Sequence, residues 1–265
     1  MNLSVKTRLF LVLFLAGFAG VVSILSLDFN AVAALLPMPA ESLPRITPAI
    51  KLLSLVQPAV LLAVAVLIGV VLAPKVGLSA PVAESIAASA VSRVGSALKP
   101  QLLPGVLGSL VGAASVILSA AVLKPFISAE ILARISQFTT LLPLPMRFLY
   151  GGITEELLLR WGFMTLLVWV AWRLFQKGSV KPSAKWFVVA IVVSAFVFAL
   201  GHLPVAVMLL GRPTAAIVLF VIVANSAFGI VAGYLYWKYG LESAMIAHLL
   251  GHVVLALASY AGAYF

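Results

Sequence analysis

Residues 148–170 read FLYGGITEELLLRWGFMTLLVWV, a run that is long and apolar enough for a membrane-spanning helix. Glu155, Glu156 and Arg160 place three charges within six residues of this run. Each such charge costs about 2.5–3.5 kcal/mol at the centre of a bilayer. A membrane helix keeps charges of that cost when they face the interior of a helical bundle. The stretch therefore predicts a membrane helix that carries a functional site.

The composition of the whole chain agrees with this prediction. Of the 265 residues, 64% are hydrophobic and 9% are charged, whereas soluble domains carry about 25% charged residues. We expect an all-α, polytopic transmembrane bundle of seven or eight spans with a buried polar site. Such a protein is integral to a lipid bilayer, the cell membrane if the source is bacterial. The net charge of +10 comes mostly from residues between apolar runs, so we expect no nucleic-acid partner.

Seven apolar runs have about the 20 residues that a helix needs to cross the hydrocarbon core. They cover residues 9–28, 51–73, 104–123, 148–172, 186–206, 214–237 and 242–263. An interfacial helix is expected within residues 74–103. Residues 126–146 fit either an amphipathic helix on the membrane or an eighth span.

The basic residues predict an orientation for these spans. With the N-terminus inside, ten basic residues fall on the inner side and six on the outer side. Inner loops of membrane proteins are enriched in Lys and Arg, so this bias favours an inside N-terminus.

The charged residues of the 148–170 run differ in their expected partners. Glu156 and Arg160 are four residues apart and can pair on one helix face. Glu155 is rotated by about 100° from Glu156 and stays available as a general base. A purely structural ion pair is the alternative for Glu156 and Arg160.

All three histidines lie in or beside apolar runs. His202 follows Phe198 by one helical turn, and His248 and His252 are one turn apart in the last run. Together with the two glutamates they predict one shared site. Counting residues along each span, however, places His248 about 10 Å deeper than Glu155 and His202.

The residue types limit the chemistry of such a site. Asp28 is the single Asp of the chain, which excludes a two-Asp protease, and the absence of Cys excludes thiolate nucleophiles and ligands. His248 lacks the following Glu of the zincin motif. A water activated by Glu remains, with His supplying either metal ligation or oxyanion stabilisation.

Three motifs resemble, in order, those of the CPBP family, which comprises CAAX-processing endoproteases and bacterial Abi proteins. They are Glu155-Glu156-xxx-Arg160, Phe198-xxx-His202 and the stretch from Gly233 to His248. The resemblance covers about residues 145–256. We accordingly expect N-terminal membrane helices and connectors over 1–140 and the CPBP-like catalytic helices over 141–265, within one integral-membrane unit.

The resemblance implies an intramembrane endopeptidase whose peptide or protein substrate is reached from the membrane. It implies that Glu155 activates water, that Glu156 and Arg160 support the site, and that His202 and His248 face the same cavity. Zinc-dependent and metal-free glutamate mechanisms have both been proposed for the family, so Zn²⁺ is one of two alternatives.

The chain departs from the family pattern at a few positions. His252 stands where the family usually has an Asn that helps to bind the oxyanion, and a His can also donate a hydrogen bond or ligate metal. Trp161 replaces a common Gly and Leu159 a common Phe, which affects packing around the site.

Two other functions stay open. A proton-coupled transporter or channel also uses buried Glu and His, although the repeated halves of many transporters are not visible in this chain. A non-catalytic interaction or immunity protein that kept the fold would retain its cellular phenotype after Glu155→Ala.

Overall fold

The computed structural model describes residues 3–39, 46–177 and 181–262, and the regular elements within these ranges are all helices. They are α1 (Leu3–Ser23), α2 (Phe29–Ala33), α3 (Pro48–Leu53), α4 (Val56–Val76), α5 (Pro81–Ala87), α6 (Val94–Leu123), α7 (Ala129–Leu141), α8 (Met146–Phe175), α9 (Ala184–Leu210), α10 (Ala215–Tyr239) and α11 (Leu241–Tyr260).

Seven helices in the described part of the chain are long and apolar enough to cross a membrane. They are α1, α4, α6, α8, α9, α10 and α11. The predicted polytopic helical bundle is therefore confirmed, and the protein is an integral, multi-pass membrane protein.

Helix α7 covers most of residues 126–146, the segment for which an eighth span was one alternative. Its 13 residues make a helix of about 20 Å, which is shorter than the roughly 30 Å of the hydrocarbon core. Ser128 caps its N-terminus by accepting a hydrogen bond from the Ile131 amide (3.4 Å). This length favours the amphipathic helix over the eighth span for residues 126–146, and its position on the membrane stays a prediction.

Helix α6 begins ten residues before its predicted start and runs through Pro100 and Pro104. Proline normally weakens a helix interior because it lacks the backbone N–H. A hydrogen bond to α11 offsets part of this loss. The Gln101 Oε1 accepts a hydrogen bond from the Ser243 amide (2.9 Å), and Glu242 accepts two from amides in the first turn of α5 (2.9 Å each). The interfacial helix expected in residues 74–103 is consequently only the seven residues of α5.

Helix α8 lies at the centre of the bundle and contacts α1, α4, α9, α10 and α11. Its backbone is π-helical over Met146–Glu155 and Leu157–Met164. Hydrogen bonds of the i→i+5 type are rare and occur frequently at functional sites.

Helix α1 packs against the π-helical part of α8. The Thr154 hydroxyl donates a hydrogen bond to the Gly17 carbonyl (2.7 Å). A side chain at Gly20 would collide with Thr154 Oγ1 and the Leu149 carbonyl. The N-terminal helices thus support the helix that carries the charged residues, while the division of the chain near residue 140 stays a prediction.

Candidate active site

Helix α8 carries a fully buried ion pair. Glu156 Oε1 lies 3.2 Å from Arg160 Nη1, and both side chains are inaccessible to solvent (0% and 1% exposed). The Arg160 Nη2 also donates a hydrogen bond to the Gly229 carbonyl (3.1 Å). The guanidinium lies over the Phe198 ring, 4.9 Å from its centroid, in a cation–π arrangement. The predicted pairing of Glu156 with Arg160 is confirmed.

Two glycines of α10 lie where α10 packs closely against α9, next to this ion pair. A Cβ at Gly229 would lie 2.9 Å from the Ala195 Cα and 3.4 Å from Arg160 Nη2. One turn further, a Cβ at Gly233 would lie 3.1 Å from the Ile191 side chain. Both glycines therefore allow close approach of α10 to α9, and Gly229 also leaves its carbonyl open to Arg160.

His248 of α11 lies between the two carboxylates of α8. Its Nδ1 is 2.7 Å from Glu156 Oε1, and its Nε2 is 3.8 Å from Glu155 Oε2. The Glu155 side chain is 20% exposed, whereas the Glu156 side chain is 0% exposed. One carboxylate is thus sequestered by Arg160 and His248, and the other remains accessible.

The predicted depth difference between Glu155 and His248 is wrong. The separation expected was about 10 Å from the rise per residue, and the atoms lie 3.8 Å apart. The helices that carry the site differ in length, with 30 residues in α8, 27 in α9 and 20 in α11. Because such helices tilt and end at different depths, counting residues from a helix end does not measure depth in the membrane.

His202 of α9 is oriented by its own helix. Its Nδ1 donates a hydrogen bond to the Phe198 carbonyl (2.9 Å), which leaves Nε2 for another partner. The Phe198 ring meets the His202 ring edge-on at 4.7 Å and the His248 ring at 6.0 Å. Phe198 therefore joins both histidines to Arg160.

His252 completes the cluster. Its ring stacks on His248 with centroids 5.0 Å apart. The buried His252 Nε2 has no hydrogen-bond partner among the described residues. This nitrogen lies so close to α8 that a Cβ at Gly151 would be 2.6 Å from it. All six predicted residues are thus part of one cluster where α8, α9 and α11 meet, and their catalytic roles stay predictions.

The cluster does not form a ready metal site. Catalytic zinc takes three protein ligands around one point. Among residues 3–39, 46–177 and 181–262, no group of three His, Cys, Asp or Glu side chains is arranged to hold a metal ion. Both nitrogens of His248 face carboxylates, and one nitrogen of His202 is already bonded. The residues as placed do not fit zinc, and zinc dependence stays a prediction.

Sequence reasoning missed Phe228, an aromatic residue beside the polar cluster, and named Trp161 only for its effect on packing. The Phe228 ring lies 4.7 Å from the His248 ring. Trp161 is fully buried, donates a hydrogen bond to the Val66 carbonyl (3.3 Å) and packs against Gly69. Gly69 thus accommodates the large residue that stands where the family commonly has Gly. Nothing in an apolar sequence marks Phe228, although it adjoins Gly229.

A helical bundle that encloses two carboxylates, an arginine and three histidines defines a polytopic membrane protein with a polar intramembrane site. Residues 137–254 match the family model described as Type II CAAX prenyl endopeptidase Rce1-like. Over this segment, just under half of the chain, the protein is similar to the CAAX-protease (CPBP) family of membrane endopeptidases. The segment includes all six site residues. No curated protein and no solved structure matches the chain.

Proposed function

We propose that this protein is an intramembrane endopeptidase in which Glu155 activates a water molecule for attack on a peptide bond. The observation that carries the proposal is the position of His248 between the carboxylates of Glu155 and Glu156. The distance of 3.8 Å from His248 Nε2 to Glu155 Oε2 exceeds a direct hydrogen bond. One water can reach both atoms across such a gap.

Glu156 sets the orientation of the His248 ring. A carboxylate oxygen accepts hydrogen bonds, so the His248 Nδ1–H donates to Glu156 Oε1. In the neutral imidazole, Nε2 then accepts a hydrogen bond on the side that faces Glu155. This is the arrangement of a histidine held in one tautomer by a buried carboxylate partner.

The catalytic steps follow from these positions. Glu155 takes a proton from the water while the water oxygen bonds to the carbonyl carbon, which gives a tetrahedral oxyanion. The proton then passes from Glu155 to the amine as the C–N bond breaks. His202 and His248 orient the water, and His252 stabilises the oxyanion. Glu156 and Arg160 hold the geometry and do not exchange protons with the substrate.

The substrate is a peptide segment that enters from the membrane or its surface. The matched family is described by its action on prenylated CAAX proteins, and we propose prenylated C-terminal peptides as the first class to test. Glu155 is accessible while its neighbour is sealed, which agrees with a substrate that approaches on the Glu155 side of His248.

The test compares three forms of the purified protein in proteoliposomes. Wild type, Glu155→Gln and Glu130→Gln are incubated with membrane-derived peptides that include prenylated ones, and mass spectrometry identifies new termini. Glu130 lies on helix α7, where its side chain is 85% exposed, so Glu130→Gln controls for the same chemical change.

We expect new termini with wild type and with Glu130→Gln, and a loss of about 100-fold or more with Glu155→Gln, as for removal of a general base. Identical product profiles for folded wild type and Glu155→Gln would reject the proposal and favour transport or a non-catalytic interaction.

A further inference from the structure

A phenylalanine outside the three motifs contacts the histidine at the centre of the site. Phe228 of α10 is buried, and its ring centroid lies 4.7 Å from that of His248, with the planes inclined at 52°. His252 stacks on the same imidazole and Phe198 meets it edge-on. The His248 ring is therefore enclosed by three other rings, which set its plane.

The Phe228 ring is itself held in a slot between two glycines. A Cβ at Gly112 of α6 would lie 2.6 and 2.7 Å from the Phe228 Cδ2 and Cε2 atoms. A Cβ at Gly251 of α11 would lie 3.0 Å from Cε2 and 3.5 Å from Cζ. The contacts at Gly112 are closer than a methyl group tolerates, and the contact of 3.0 Å at Gly251 is tight, so the two glycines leave room for the ring. The ring cannot shift towards α6 or α11 in so closely packed an interior.

The position of the His248 ring matters because two distances depend on it. Nδ1 must stay bonded to Glu156 while Nε2 stays within one water of Glu155. A misplacement of about 1 Å can cost an enzyme on the order of 100-fold in rate.

We infer that Phe228 is a positioning residue: wedged between Gly112 and Gly251, it holds the His248 imidazole so that its nitrogens face the two carboxylates. The effect of Phe228 on catalysis rests on the proposed function. Its effect on the position of the His248 ring does not. Phe228 touches neither water nor substrate in this role and acts through His248.

The chain offers a matched pair of substitutions on α6. Gly112→Ala places a methyl group against the Phe228 ring. Gly108→Ala, one turn earlier, places the same group 2.5 Å from Leu235 Cδ1. Both changes crowd the same helix interface, but only Gly112→Ala pushes the residue that contacts His248.

The first readout is NMR of the protein with ¹³C-labelled histidine in detergent. The chain has only three histidines, and His202→Gln and His252→Gln variants assign their signals. We expect Gly112→Ala to shift the His248 signal and Gly108→Ala to leave it in place. Equal shifts, or none with either variant, would overturn the inference. This arm requires no cleavage, so it decides the inference even if wild type proves inactive.

The second readout separates positioning from packing. We expect Gly112→Ala to lower kcat by about 100-fold with little change in KM, and Gly108→Ala to keep wild-type cleavage. In Gly112→Ala/Phe228→Leu the shorter side chain makes room for the methyl group, so stability should recover while cleavage stays low. Cleavage that recovers together with stability would show that Phe228 merely fills space.

Discussion

At the residue scale, two Glu–Arg pairs with the same i,i+4 spacing have opposite surroundings. Glu156 and Arg160 are buried with 3.2 Å between their charged atoms, whereas Glu130 and Arg134 of α7 are separated by 3.8 Å at the surface. Arg160→Met leaves a buried carboxylate without its cation, and we expect the free energy of unfolding to fall by about 3–5 kcal/mol. Arg134→Met should cost less than about 1 kcal/mol.

Unfolding of the purified protein in mixed micelles by added denaturing detergent measures both changes. The double variant Glu156→Gln/Arg160→Met removes both charges, and much of the lost stability should return. Similar losses for Arg160→Met and Arg134→Met would contradict the burial that the structure gives to the Glu156–Arg160 pair.

The same residues show how far the sequence predicts the site. The contact of Glu156 with Arg160 is local, so the helical repeat was enough to predict it. The contacts of His248 with both carboxylates join α11 to α8, and their closeness depends on tilts that no spacing in the sequence encodes. Phe228 is one apolar residue in a chain that is 64% hydrophobic, so no compositional signal distinguishes it.

At the scale of elements, glycines decide which helices approach α8. Gly20 of α1 faces the Leu149 carbonyl and the Thr154 hydroxyl, whereas a Cβ at Gly201 of α9 would meet no atom within 4 Å. We expect Gly20→Ala to lower the free energy of unfolding by about 1–3 kcal/mol, as overpacking does. Gly201→Ala should be neutral or stabilising by up to about 1 kcal/mol because Ala favours a helix interior.

Thermal unfolding of the two variants in one detergent compares them directly. The clash at Gly20 involves backbone of the π-helical segment, which cannot turn away as a flexible side chain does. If Gly20→Ala is as stable as Gly201→Ala, the close contact of α1 with α8 is not present in the membrane protein.

The elements were predictable to different degrees for physical reasons. Hydrophobicity alone located the seven spans, since each needs a run of apolar residues. It could not distinguish π-helical from α-helical backbone in α8, because a run of apolar residues indicates a span and not its hydrogen-bond pattern. It also placed the start of α6 too late, because Pro100 and Pro104 suggest a break, whereas the helix continues through both and Gln101 bonds to α11.

At the scale of the whole molecule, the orientation in the membrane follows from charge. The end of α4 and the segments after α4 and α8 lie on the predicted inner side, together with the N-terminus. Their basic residues include Lys75, Arg93, Lys177 and Lys181. Arg134 of α7 and Arg212, which follows α9, line one pocket and lie on the opposite side. An inside N-terminus therefore remains the predicted arrangement.

The absence of Cys from the chain allows this orientation to be measured with single cysteines. Lys181→Cys and Arg212→Cys each introduce one thiol at an exposed position between spans, on opposite sides of the bundle. In intact cells, a maleimide that cannot cross the membrane should label Arg212→Cys and should label Lys181→Cys only after the cells are opened. Both substitutions remove one positive charge, so a difference in labelling between them does not come from a difference in net charge.

The reverse labelling pattern would place the N-terminus outside and reject the charge-based prediction. It would leave the site geometry unchanged, because the contacts among Glu155, Glu156 and His248 do not depend on which side is cytoplasmic. The side labelled at Arg212 has a direct consequence for the proposed protease, since His202 lies on the same helix, closer to its Arg212 end than to its Lys181 end. A substrate that enters at this end must come from the compartment in which Arg212→Cys reacts.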